Sequence, residues 1–128
     1  MTDAPLVAIL ADDLIWATRL DRLVRDAGGR TALVRSLGGL QGALDGMEGR
    51  PDGVVVDLTS RGYDGIDAVR RAAASGAAVV AVGQHDDRAG REAARLAGAA
   101  DVFAYGRLFA SGPRVVGDWL RRIEDRQP

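Results

Sequence analysis

Three aspartates carry the most chemical promise in this chain. Asp12 and Asp13 follow the apolar run Leu6–Leu10, and Asp57 closes the run Val54–Val56. Carboxylates gathered at one crevice repel one another, which raises their proton affinity unless a cation sits among them. A cluster of this kind suits Mg²⁺, a hard ion that takes oxygen ligands and keeps several waters. A strand-end carboxylate can also act as a nucleophile toward a phosphoryl donor, with the metal neutralising the phosphoryl oxygens. Asp57 is the candidate nucleophile, and Asp12, Asp13 and Asp57 are the candidate metal ligands. Helix capping by aspartate is the competing explanation; it accounts for Asp13 but not for Asp12 or Asp57.

These side chains need elements to position them. The runs Leu6–Leu10, Val54–Val56 and Ala77–Val82 are short, apolar and bounded by Pro, Gly or Asp, as buried parallel strands are. Thr31–Val34 and Val102–Tyr105 are weaker strands. Between them the spacing becomes helical: Ile15, Trp16, Leu20, Leu23, Val24 and Ala27 form a stripe that Gly28 and Gly29 end. Further helices are predicted over Leu37–Met47, Gly65–Ala74, Arg88–Ala97 and Pro113–Asp125, the fourth thinly packed because it is mostly Ala, Arg and Glu around Gly90. Strict βα alternation implies an α/β fold, a doubly wound parallel sheet of the flavodoxin-like (βα)5 type with strand order 2-1-3-4-5. In that order the first and third strands are neighbours, and their carboxyl ends open on one crevice.

The 128 residues form one domain's worth of chain, expected as a single unit over 1–128 with Glu124–Pro128 a fraying tail. The 17 basic and 18 acidic residues are mixed along the chain, so no nucleic-acid footprint appears. No run approaches a membrane span, the segment Met1–Pro5 lacks a signal-peptide charge pattern, and cysteine is absent; a soluble, cytoplasmic protein is expected. All the basic residues are arginines, so any mechanism needing a lysine is excluded.

The segment Pro51-Asp-Gly-Val-Val-Val-Asp57-Leu-Thr-Ser-Arg-Gly-Tyr-Asp-Gly65 resembles the third strand and following loop of response-regulator receiver domains. Asp12 and Asp13 are similar in spacing to that family's first-strand acidic pair, and Gln84–Asp87 and Leu96–Asp101 to the two ends of its fourth helix. The resemblance covers nearly the whole chain. It implies a non-enzymatic signalling domain: phosphotransfer from a histidine kinase to Asp57, Mg²⁺ held by Asp12 or Asp13 together with Asp57, and the Thr59 backbone carbonyl as a further ligand.

Three positions depart from the family pattern. Gly83 stands where a Thr or Ser hydroxyl would bind the phosphoryl group, and Tyr105 and Gly106 stand where the fifth strand should supply lysine and then proline. The aromatic switch position is matched by Val102, or imperfectly by Phe103. A preorganised cation can be worth a few kcal/mol, and Arg61 or Arg107 is the candidate replacement. The alternative is a phosphorylation-independent pseudo-receiver, a protein-interaction module read through the last strand and helix at Phe103, Tyr105 and Trp119, with homodimerisation as one form of output. Trp119 there is expected chiefly as core packing, with a half-exposed partner contact as the alternative, and Trp16 at the core edge near the crevice. His85, the lone histidine, reads as a surface residue. A small-molecule binder on the same fold is a third class. Flavin phosphate would meet the charges of Asp12 and Asp13, and cobalamin would lack a histidine ligand.

Overall fold

The computed structural model describes residues 4–46 and 49–126. Among them strands and helices alternate without exception: β1 (Leu6–Leu10), α1 (Leu14–Asp26), β2 (Arg30–Val34), α2 (Leu37–Asp45), β3 (Gly53–Asp57), α3 (Gly65–Ala74), β4 (Ala78–Gly83), α4 (Arg88–Ala97), β5 (Asp101–Ala104) and α5 (Tyr105–Arg126). Every strand pairing is parallel, and the order is β2-β1-β3-β4-β5, as the alternation predicts. Ile9 lies beside Val55 and Leu10 beside Val56, so β1 and β3 end level with each other and present Asp12, Asp13 and Asp57 at one end of the sheet.

The strand runs look uniformly apolar because both faces of the sheet are covered. Alternate side chains serve two separate cores. Val7, Ile9, Val55, Val80 and Val82 pack against α1 and α5, whereas Ala8, Leu10, Val54, Val56, Val79 and Ala81 pack against α2, α3 and α4. The second face is built on small residues, Ala68, Ala72 and Ala94 among them, and α4 buries only Ala94. Its Leu96 is left 81% exposed.

The first four helices each begin at a side chain that accepts a first-turn N–H: Asp13, Ser36, Asp64 and Asp87. The fifth begins differently from expectation. It starts at Tyr105, directly from β5, rather than at Pro113, so Tyr105 is helical and not part of the strand. Proline at a helix start is common, which is why Pro113 reads as a boundary. Here it sits inside the helix at an exposed position.

Helix α5 lies close on the rest of the fold. A Cβ on Gly53 would come within 2.8 Å of the Trp119 ring. The absent side chain thus makes room for the indole on β3, and Trp119 is 3% exposed, a core residue as its stripe suggests and not a half-exposed contact. The predicted tail also changes: Glu124–Arg126 belong to α5, while Gln127 and Pro128 lie outside the described residues, as do Met1–Asp3 and the expected α2 end at Met47. Among the described residues no helix is long and apolar enough to cross a membrane.

Candidate functional site

Asp57, the last residue of β3, is fully buried, the only charged or polar residue so placed among those described. Its two oxygens have different surroundings. Oδ1 accepts from the Thr59 backbone N–H at 2.9 Å and from the Thr59 hydroxyl at 2.7 Å, a tight local turn. Oδ2 has no hydrogen-bond partner. Besides the carbonyl that the resemblance assigns to a metal, Thr59 thus gives Asp57 both its N–H and its hydroxyl.

Where the sequence resemblance expects a lysine, the structure has the phenol of Tyr105 at the start of α5. Tyr105 is 5% exposed, and its hydroxyl, like Asp57 Oδ2, is buried without a completed hydrogen bond. Burial pushes the Tyr105 phenol far above its ordinary value, and the Asp57 charge, together with hydrogen-bonding interaction with that carboxylate, adds to the rise; Tyr63 and Asp13 contribute further. Tyr105 and Asp57 thus interact electrostatically at the end of the sheet, while the Tyr105 hydroxyl and Asp57 Oδ2 are each buried without a hydrogen-bond partner.

Tyr105 is held in an aromatic stack. Its ring centroid is 4.1 Å from Trp16 on α1 and 5.7 Å from Phe109, one turn further along α5, and Trp16 and Phe109 stand 5.8 Å apart. The Arg19 guanidinium lies 5.3 Å from the Trp16 ring and 5.9 Å from Phe109, a cation over the outer edge of the stack. Close approach of the two helices makes this possible: a Cβ on Gly112 would meet Leu23 at 2.5 Å. Sequence reading missed the group because it ended β5 at Tyr105 and began α5 at Pro113. The signal was available in Tyr105, Leu108, Phe109 and Gly112, whose spacing continues the Val116, Trp119, Leu120, Ile123 stripe backwards.

A second phenol lies across the neighbouring strand ends. The Tyr63 hydroxyl shares its proton between the carbonyl oxygens of Leu10, at 3.0 Å, and Asp57, at 2.6 Å. Burial raises its pKa well above the ordinary tyrosine value, followed by the charges of Asp57 and Asp12, with the Ser60 hydroxyl partly opposing. Tyr63 and Tyr105 are the only tyrosines. Both folded values stand above the ordinary 10.0, so the stability each phenol contributes is complete below about pH 10 and lost as pH rises beyond it. An alkaline titration followed by phenolate absorbance and circular dichroism together is expected to show no phenolate until the fold is lost, both phenols then appearing in the unfolding transition. A phenol that ionises in the folded protein would contradict this placement.

The other expected site residues diverge. Asp13 is turned into α1, where its Oδ1 accepts from Ile15 N–H at 2.8 Å and Trp16 N–H at 3.1 Å, the capping role. Asp12 faces the β3–α3 loop, its Oδ2 2.6 Å from where a Cβ on Gly62 would lie. Arg61 is exposed, without a hydrogen bond or ion pair to Asp57. Arg107 is exposed on the first turn of α5, on the rim of another cavity. At Gly83, the place of the absent hydroxyl is flanked by Leu58, whose Cδ1 would be 3.5 Å from an added Cβ, and by the Arg91 stem at 3.4 Å.

These residues do not present three carboxylates to one Mg²⁺ ion. The ion requires near-octahedral oxygen ligands and room for waters. Among the described residues no three Asp, Glu or His side chains are grouped to hold a metal ion. Asp13 Oδ1 caps α1, Asp57 Oδ1 accepts from Thr59, and Asp57 Oδ2 is buried without a hydrogen-bond partner.

The arrangement of β1, β3 and the Asp57 end can now be set against solved structures. The receiver domain of NtrX from Brucella abortus superposes with a TM-score of 0.78 at 15% identity, covering 94% of this chain and 99% of that one. A response regulator receiver domain protein from Clostridium thermocellum gives 0.78 at 16% identity, with 96% and 99% covered. This chain has the receiver-domain fold. It spans 30% of the longer NtrX chain from Brucella abortus, with a TM-score of 0.74 at 18% identity and 97% of this chain covered. No family model and no curated protein matches the sequence. In the receiver fold, then, Asp57 occupies the end of the third strand, with Tyr105 directly after the fifth.

Proposed function

We propose that this chain is a receiver-like signalling module that works as a phosphorylation-independent interaction domain, with Asp57 a buried structural carboxylate rather than a phosphoacceptor. The observation that carries this reading is the complete burial of Asp57 beside Tyr105. In-line attack on a phosphoryl group requires the nucleophilic oxygen to reach its donor and cationic groups to meet the developing charge. Here one oxygen is engaged by Thr59, the other is covered, and neither Gly83 nor Tyr105 supplies the missing hydroxyl or cation. Under this reading no histidine kinase or Mg²⁺ is needed, and Arg61 has no phosphoryl role. The cytoplasm suits such a cysteine-free module.

Output then passes to a partner protein through the face of α4, β5 and α5. Of the three residues first assigned to it, Phe103 alone is partly exposed; Tyr105 and Trp119 are buried and act from beneath. Incubation with acetyl phosphate and Mg²⁺, followed by intact-mass measurement beside a receiver of known phosphoacceptance, is expected to leave this chain unmodified while the control is labelled. A phosphoryl adduct that disappears in Asp57→Asn would overturn the proposal.

A further inference from the structure

Away from Asp57, a cavity of about 890 Å³ opens along the outer edge of β5, between α4 and α5. Its floor is Val102, Phe103 and Ala104; β5 is the last strand of the sheet, so no further strand covers this side. Arg88 and Arg91 stand on the α4 wall and Arg107 on the α5 wall, with Asp86 and His85 at the rim. Three guanidiniums thus meet one carboxylate in a cavity within the size range of small-molecule sites.

The guanidiniums are differently prepared. Arg91 is oriented by its own backbone surroundings, with Nη2 donating to the His85 carbonyl at 2.9 Å and Nε to the Asp87 carbonyl at 3.4 Å. Neither bond neutralises its charge. Arg88 and Arg107 form no ion pair within the described residues, although the same helices pair Arg95 with Glu92, Arg121 with Asp118 and Arg122 with Asp101. Acidic partners pair arginines elsewhere on α4 and α5, whereas the one carboxylate lining this cavity, Asp86, forms no ion pair with Arg88, Arg91 or Arg107. Gly106 adds a wall with open space where a side chain would stand.

We propose that this cavity binds a nucleotide, its phosphate held by Arg88, Arg91 and Arg107 and its flat base laid against Phe103. Guanidinium matches phosphate in bidentate geometry, and an aromatic floor suits a base, so the mixed lining selects a ligand with both parts. An extended acidic peptide would use the charge but not a cavity closed on two sides by helices.

The site is independent of Asp57 and is tested separately. Backbone amide NMR of the labelled protein is titrated with adenosine monophosphate and guanosine monophosphate, and in other arms with adenosine, inorganic phosphate and a polyglutamate peptide. At least one nucleotide is expected to shift the Ala104, Gly106 and Arg107 amides with a dissociation constant below about 1 mM. Adenosine and phosphate are each expected to bind at least about tenfold more weakly. The exposed double variant R88Q/R107Q is expected to keep the remaining spectrum and lose about tenfold or more in nucleotide affinity. Equal binding of phosphate and nucleotides, no shift with either nucleotide, an unaffected double variant, or shifts with the peptide alone would each overturn the proposal.

Discussion

Tyr105→Ala is expected to cost about 3–5 kcal/mol of unfolding free energy, the range for removing a large aromatic side chain from a core. The ring is 5% exposed and stacks on Trp16 at 4.1 Å, so its loss leaves a void between α1 and α5 and opens Asp57 to water. Part of the penalty is recovered if water reaches Oδ2, which places the expected value toward the lower end. A typical domain has about 5–15 kcal/mol in hand, so the variant still folds and urea unfolding can measure the loss. Tyr105→Phe keeps the stack and removes only a hydroxyl without a completed bond; its expected cost is below about 1 kcal/mol. A loss as large in the Phe variant as in the Ala variant would show the hydroxyl, rather than the ring, to hold the site together.

Asp57→Asn is expected to act in the opposite direction, raising stability at neutral pH by about 1–3 kcal/mol. The carboxylate is wholly buried, and only one of its oxygens is hydrogen-bonded. Asparagine keeps an oxygen for the Thr59 N–H and hydroxyl, removes the charge, and turns an NH2 toward the Tyr105 hydroxyl oxygen. At about 4 °C per kcal/mol for a domain of this length, the midpoint of thermal unfolding rises by roughly 4–12 °C. A fall in the midpoint would mean that the carboxylate is better solvated or paired than its burial indicates. Because Asp57 and Tyr105 touch one site, the Tyr105→Phe and Asp57→Asn effects are expected to be non-additive.

The strand order was readable in advance because each strand run is apolar on both faces and each intervening stripe has helical spacing, so local pattern and global topology agree. Asp57 was readable for the same reason: it ends a strand at the sheet's switch point. Its burial was not. That depends on Trp16, Tyr105 and Phe109 meeting from two helices nearly ninety residues apart in sequence, roughly the longest kind of pairing a chain this size contains, and local periodicity carries no such information. Trp119 packs in the core as its stripe suggests, but the room it occupies is made by Gly53 on a distant strand and could not be read locally. Asp13 shows the reverse: a cap is a local device, and its capping reading could be drawn from neighbouring residues alone. Pro113 misled because its usual place is a helix start, whereas the tertiary stripe from Tyr105 onward carries α5 through it.

The closed state of Asp57 is tested most directly by titrating Mg²⁺ against intrinsic tryptophan fluorescence, with and without beryllofluoride, a mimic of an aspartyl phosphate. Trp16 stacks on Tyr105, whose phenol interacts with the Asp57 charge, so an ion entering there is expected to change its emission. The account predicts no saturable response to Mg²⁺, no further change with beryllofluoride, and the same traces for Asp57→Asn. A saturable Mg²⁺ response that beryllofluoride extends and Asp57→Asn abolishes would contradict it and return Asp57 to the role of phosphoacceptor.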